Sequence, residues 1–212
     1  MSYLDDFSKY FFGAFRTHKY LFVFVLLLCL VSVTVPILTY DYDDIGQVYD
    51  DSYLAQKSEY SLESFWETVS WNVYLNINAY CNSVFLGLGA IIDIIVNMGI
   101  IGRTFAANTY FTDDHLLFFK LTFMHAIPED ISTILNSFAS MILAYFVIAY
   151  IRDVFKSTAG SFPSRLMDSW QVNKIHLVQS LVVFVVGIIV MVYAGICEEF
   201  LSVPIGNFVA GV

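Results

Sequence analysis

His125 and Glu129 stand four residues apart, and Glu198 and Glu199 close the apolar run 175–197. A histidine and carboxylates gathered in one place can bind a divalent cation, relay protons, or neutralise one another as a buried hydrogen-bonded knot. All of them lie beside stretches apolar enough for a bilayer, where an ionisable side chain costs about 2.5 to 3.5 kcal/mol by insertion scales. Such a group faces protein or a wet cavity and has a partner. His125, Glu129 and Glu199 are therefore the candidate metal ligands, with a divalent metal ion as the candidate cofactor. A second polar set comprises Asn82, Asp93 and Asn97. Asp93 and Asn97 are one helical turn apart, and their simpler reading is a structural hydrogen-bonded pair.

The elements that must position these groups are helices in lipid. Of 212 residues, 58% are hydrophobic and only 14% charged, which excludes an ordinary soluble domain. A bilayer core about 30 Å thick needs roughly 20 helical residues to cross it. The expected fold is all-α, a polytopic membrane helix bundle filling 1–212 as one integral membrane domain, with about five to six membrane segments, one of them short or broken. The full-length spans are 20–38, 79–101, 131–151 and 175–197. The short one is 116–127, interrupted by Lys120, His125 and Pro128. Proline cannot donate an N–H and disfavours helical geometry at Ile127 before it, so a break is expected there. Residues 1–18 interleave Phe7, Phe11, Phe12 and Phe15 with Lys9 and Arg16, in the manner of an amphipathic surface helix.

Charge sets the expected orientation. The net charge is -9, yet Lys9, Arg16 and Lys19 precede the first span, while 40–67 carries eight acids against the single Lys57. The positive-inside rule then makes the N-terminus cytoplasmic in a multi-pass protein of the cell membrane. Residues 39–75 become an outer acidic loop with an interfacial helix, where Leu62, Phe65, Trp66, Val69 and Val73 recur at helical spacing. Arg103 and the basic segment 153–174 fall on the cytoplasmic side. This topology brings Asn82, His125, Glu129 and Glu199 to one depth. Glu198, turned by about 100° from Glu199, is expected to point to the headgroups.

Partners follow from the same residues: the lipid bilayer, envelope proteins that meet the acidic loop, and no nucleic acid. Gly87, Gly99 and Gly102 on one helix, with Gly187, Ala194 and Gly195 on another, offer close-packing surfaces for a homodimer. His18 and His176 are expected to be solvated at the interface. Cys29, Cys81 and Cys197 form no disulfide or metal motif and read as buried free thiols. No phosphate loop, nucleophile elbow or HExxH motif occurs, so a catalytic role is disfavoured. A metal-dependent hydrolase would need three ligands and an open position, and the sequence offers only three convincing candidates in all.

Asn82, Phe85 and Gly87, then Asn97, Gly99 and Gly102, then His125 with Glu129, and Glu199 followed by Pro204 together resemble the stage II sporulation protein M family of integral membrane proteins. The resemblance covers 71–204. The chain departs from the family pattern where Gly99 stands two residues after Asn97, where Ala126 follows His125, and where Pro128 and Asp130 flank Glu129. The resemblance implies an N-terminal span, an outer loop and a polar His/Glu element within the membrane. For the family's namesake it implies work in engulfment during sporulation, in a membrane complex with cell-wall hydrolases. Two functions follow for this chain: a scaffold or assembly subunit whose polar cluster locks the bundle, or an ion channel or transporter lined by Asp93, Asn97, His125, Glu129 and Glu199.

Overall fold

The computed structural model describes residues 3–40, 62–111, 117–158, 160–201 and 205. Every element among them is helical: α1 (Tyr3–Thr17), α2 (Lys19–Leu38), α3 (Leu62–Asn82), α4 (Leu88–Phe111), α5 (Leu117–Lys156) and α6 (Phe162–Ile196), closed by a π-helical turn Cys197–Leu201. Most of the expected acidic loop, the segment holding His115 and the tail with Pro204 lie outside the described residues. Four stretches are long and apolar enough to cross a membrane: Lys19–Leu38, Leu88–Ala107, Thr122–Lys156 and Phe162–Leu201.

The bundle has two ends, marked by His18 and by Pro36. α1 meets α2 at His18, and the corner is pinned by Phe15 and Phe22, whose rings lie 5.0 and 5.1 Å from fully buried Phe138 on α5. α2 then runs to the Pro36 end. α5 and α6 form the central antiparallel pair. At the His18 end Tyr145 packs on His176, and beyond it the two helices project as a hairpin tip in which Asn173 donates to Asp153 at 3.0 Å. The expected basic segment 153–174 is this tip. Ser161 starts α6, its hydroxyl accepting from the Ser164 N–H with a proline in the first turn.

Two expectations are corrected here. α3, expected in part as an interfacial helix, packs lengthwise along the bundle. Phe65 packs on Phe200 at one end of α6, and Tyr80 stacks on Phe184 toward the other, so α3 lies antiparallel to α6 along the bundle. Five helices thus run its length, and α3 is the one too polar to be recognised as a span from composition. The chain then reverses through 83–87, where Leu86 and Gly87 take φ of 60° and 78°. That region suits glycine and costs other residues energy. Ser83 secures the turn: its hydroxyl donates to Ala79 O at 2.7 Å and accepts from Ala90 N at 2.8 Å.

Because α3 traverses the bundle, α4 returns toward the Pro36 end, parallel to α2, and Gly102 lies against the Val33 backbone. Arg103 therefore sits at the opposite end from Arg152, Lys156, Arg165 and Lys174 instead of sharing their side. The second correction concerns Pro128. α5 continues through it as a single helix of 40 residues, so the expected short span and its break are replaced by one crossing. A proline in such a helix is tolerated because neighbouring helices and side chains satisfy the backbone groups it frees.

Candidate functional site

The interior of the α3, α5 and α6 contact is polar. Ser132, Asn136 and Ser140 recur every four residues along α5, and all three are buried with Thr133 and Ser137. Asn136 Nδ2 donates to Asn76 Oδ1 on α3 at 2.7 Å and to Ser132 Oγ at 3.1 Å. Ser132 Oγ in turn donates to the Gly187 carbonyl on α6 at 2.8 Å. Half the bundle further on, Ser180 Oγ donates to Ala139 O at 2.7 Å and shares a 2.8 Å hydrogen bond with Tyr80. Each of these bonds joins two helices, or orders the side chain that does. In lipid an unpaired group would find no water, so such bonds act as glue.

Asp93 and Asn97 hold the α4 side of this seam. Asn97 Nδ2 donates to Asp93 Oδ1 at 2.8 Å, and Ser137 Oγ reaches Asp93 Oδ2 at 3.5 Å. The pair anticipated from the sequence is present and is attached to α5.

The Glu199 end is assembled differently from expectation. Glu199 is buried, 6% exposed, in the π-helical turn that packs on α5. Glu129 lies on that part of α5, and His125 is one turn nearer the helix start. Glu198 is half-buried and lies close enough for its charge to act on Glu129, as does that of Asp130. Glu198, expected to point to the headgroups, is less buried than Glu199. A π turn is wider than an α turn, so angular positions extrapolated from an ideal helix shift within it. Among the described residues no three His, Cys, Asp or Glu side chains are grouped to hold a metal ion. Asp130 Oδ1 is buried without a hydrogen-bond partner.

Asn82 does not join this end. It closes α3 at the His18 end, where its side-chain nitrogen hydrogen-bonds Asn78. Phe65, which touches Phe200, is 17 residues earlier on the same helix, about 25 Å at the usual helical rise. The reversed direction of α4 has the same cause: α3 crosses, so everything after it changes ends up to α5. Cys81 is exposed at that end, while Cys29 and Cys197 are buried, and all three are free thiols.

The sequence reading also overlooked a cluster at the His18 end. His18 is 5% exposed, not solvated, with Nε2 lying 3.1 Å from His176 Nδ1 and its ring edge-on to Tyr145. Burial first, and His176 second, lower the His18 pKa from 6.5 to about 4, against a hydrogen bond with Gln179 that raises it. The corner residue His18 meets residues of two helices, α5 and α6, here, and nothing in their separate sequence contexts links them. The Ser132, Asn136, Ser140 spacing, by contrast, was a signal available in the sequence.

The geometry is that of a helical membrane protein with a polar seam, and residues 20–203 match the family described as Stage II sporulation protein M. The chain belongs to that family. No curated protein and no solved structure matches it. Within this stage II sporulation protein M family member, the matched region takes in α2 to α6 and the π-helical turn, so it includes the whole polar seam. The surfaces expected to support a homodimer are mostly occupied within the chain. A side chain at Gly87 would meet Met141, at Gly102 the Val33 backbone, at Gly187 Asn136, and at Gly195 Val69. Of these glycines Gly99 has room for a side chain, with the Ser32 carbonyl 4.0 Å from a Cβ placed there.

Proposed function

We propose that the chain is a non-enzymatic scaffold or assembly subunit of a membrane complex in the cell envelope. The observation that carries this reading is how the interior polar groups are used. Asn76, Asn136, Ser132, Tyr80 and Ser180 bond helix to helix, which fixes the relative placement of α3, α5 and α6. A rigid bundle of this kind presents its ends to partners without changing shape, and the acidic segment 40–67 is the surface offered to envelope proteins. The N-terminus is assigned to the cytoplasm on the charge segregation around the first span.

A second reading, an ion channel or transporter, is favoured by Asp130 alone, whose Oδ1 is buried with no partner among the described residues. Ionisable groups at membrane depth mark ion or proton pathways often enough to require the test. Purified protein in proteoliposomes, assayed for proton and cation flux beside an Asp130→Asn variant, separates the two. Flux abolished by the substitution overturns the scaffold reading. Absence of flux, with envelope proteins cross-linked through the acidic segment, upholds it.

A further inference from the structure

α2 and α4 touch closely at Gly102 and Val33, and beside that contact they leave a cavity of about 490 Å³. Leu28, Val31 and Val35 form one wall, Ile95 and Gly99 the other, and Arg103 is the only charged residue along it among the described residues. Val31, Val35 and Ile95 are each about half exposed, so the cavity is a groove on the flank of the bundle that faces lipid.

Its depth matches one leaflet. α2 has 20 residues and so spans about 30 Å, the thickness of the hydrocarbon core. Leu38 then lies at one boundary, and Leu28, ten residues earlier, lies about 15 Å below it, near the midplane. Arg103, beside the last turns of α2, is at the boundary where headgroup phosphates lie. Ile95 is eight residues back along α4, about 12 Å toward the midplane. The guanidinium is exposed and makes no ion pair or hydrogen bond among the described residues. A planar fork of donors matches a phosphate's oxygens, and long cationic side chains reach for that layer.

We propose that this groove binds an anionic phospholipid, its phosphate on Arg103 and one acyl chain lying over Gly99 toward the midplane. A second copy of the chain fits less well. A two-fold axis along the membrane normal, with groove on groove, would bring the two Arg103 guanidinium groups together at the same depth. The glycine has a specific part: a Cβ at Gly99 meets nothing nearer than the Ser32 carbonyl at 4.0 Å, so the bare backbone forms the floor of the groove. That same space allows the groove to be filled without disturbing the contact between helices.

The test is native mass spectrometry of the full chain released from vesicles of phosphatidylglycerol and phosphatidylcholine, with Gly99→Leu and Arg103→Gln as variants and a thermal melt as the folding control. The expected result is one phosphatidylglycerol retained by the wild type in preference to phosphatidylcholine. Arg103→Gln weakens that retention about tenfold, the usual worth of a charge-assisted hydrogen bond, and Gly99→Leu abolishes it at an unchanged melting temperature. Equal retention of the two lipids, or retention unaffected by Arg103→Gln, overturns the proposal. So does a doubled mass that Gly99→Leu returns to that of one chain, which assigns the groove to a second copy. Should Gly99→Leu fail to fold, Arg103→Gln decides alone, because its exposed side chain has no hydrogen bond or ion pair among the described residues to lose.

Discussion

Where α3, α5 and α6 meet, helices are tied by side-chain hydrogen bonds. Where α2 meets α4, they are held by apolar contact and one close backbone approach, with a groove beside it. The difference shows in burial. In the apolar window of α5, 61% of the residues are buried, against 17% in that of α2, so α5 is the axis of the bundle and α2 faces lipid. Lipid supplies little hydrophobic drive for one helix to seek another, so association must come from packing and polar glue. The α5 contacts use both, and among the described residues the α2 contact with α4 uses packing alone.

The comparison breaks most sharply at Gly187, where a side chain would run into the Asn136 amide that joins α3 to α5. Gly187→Leu is expected to lower stability by about 3 kcal/mol, at the upper end of the range for overpacking. Denaturant titration in detergent measures it, and a loss under 1 kcal/mol would show that the seam is more compliant than described. Gly102→Ala is next, at about 2 kcal/mol, because the new methyl group must push against the Val33 backbone. Its signature is local: buried Cys29 on α2 should react faster with a small thiol reagent. Gly99→Ala, three residues away and facing open space, should leave that rate unchanged, and equal effects at the two glycines would refute the one-point contact.

Asn136→Ala removes two hydrogen bonds yet should cost only about 1 kcal/mol, since interhelical bonds in membranes average near 0.6 kcal/mol. A double-mutant cycle with Asn76→Ala isolates the coupling, and additive effects would mean that the bond contributes nothing net. The last effect is confined to acid pH. His18 has a pKa of about 4 in the folded protein, below its ordinary 6.5. Above pH 6.5 it is neutral whether or not α1 is docked. Between pH 6.5 and 4 the undocked form takes up the proton and the docked form does not, so docking weakens as pH falls through that window. Protease cleavage within α1 should rise on acidification, and His18→Phe should flatten the response; a pH-independent wild type would contradict the buried pair.

Much of the fold could be read from residue order. The apolar runs of α2, α4 and α6 are local properties, and so are the amphipathic face of α1 and the hydrogen-bonding of Asp93 with Asn97 at helical spacing. Family membership was legible for the same reason, being carried by residue types at fixed intervals. The candidate site was legible only in part. Glu199 lies in the turn that packs on α5, the helix that carries Glu129, whereas Asn82 closes α3 at the other end.

What only the tertiary structure decided was the path of α3. Its sequence mixes Trp66, Trp71 and Tyr74 with Asn72, Asn76 and Asn78, a composition as suitable for an interface as for a bundle. The choice depends on whether partners elsewhere in the chain satisfy its polar side chains, and Asn136 and Ser180 do so from 60 and 100 residues away. Once α3 crosses, the direction of α4, the end occupied by Arg103 and the place of Asn82 are all fixed. Hydropathy sums the transfer of each residue into lipid, and that sum determined which segments are apolar. It holds no term for a polar side chain that finds its partner on another helix, and that pairing set the topology of this bundle.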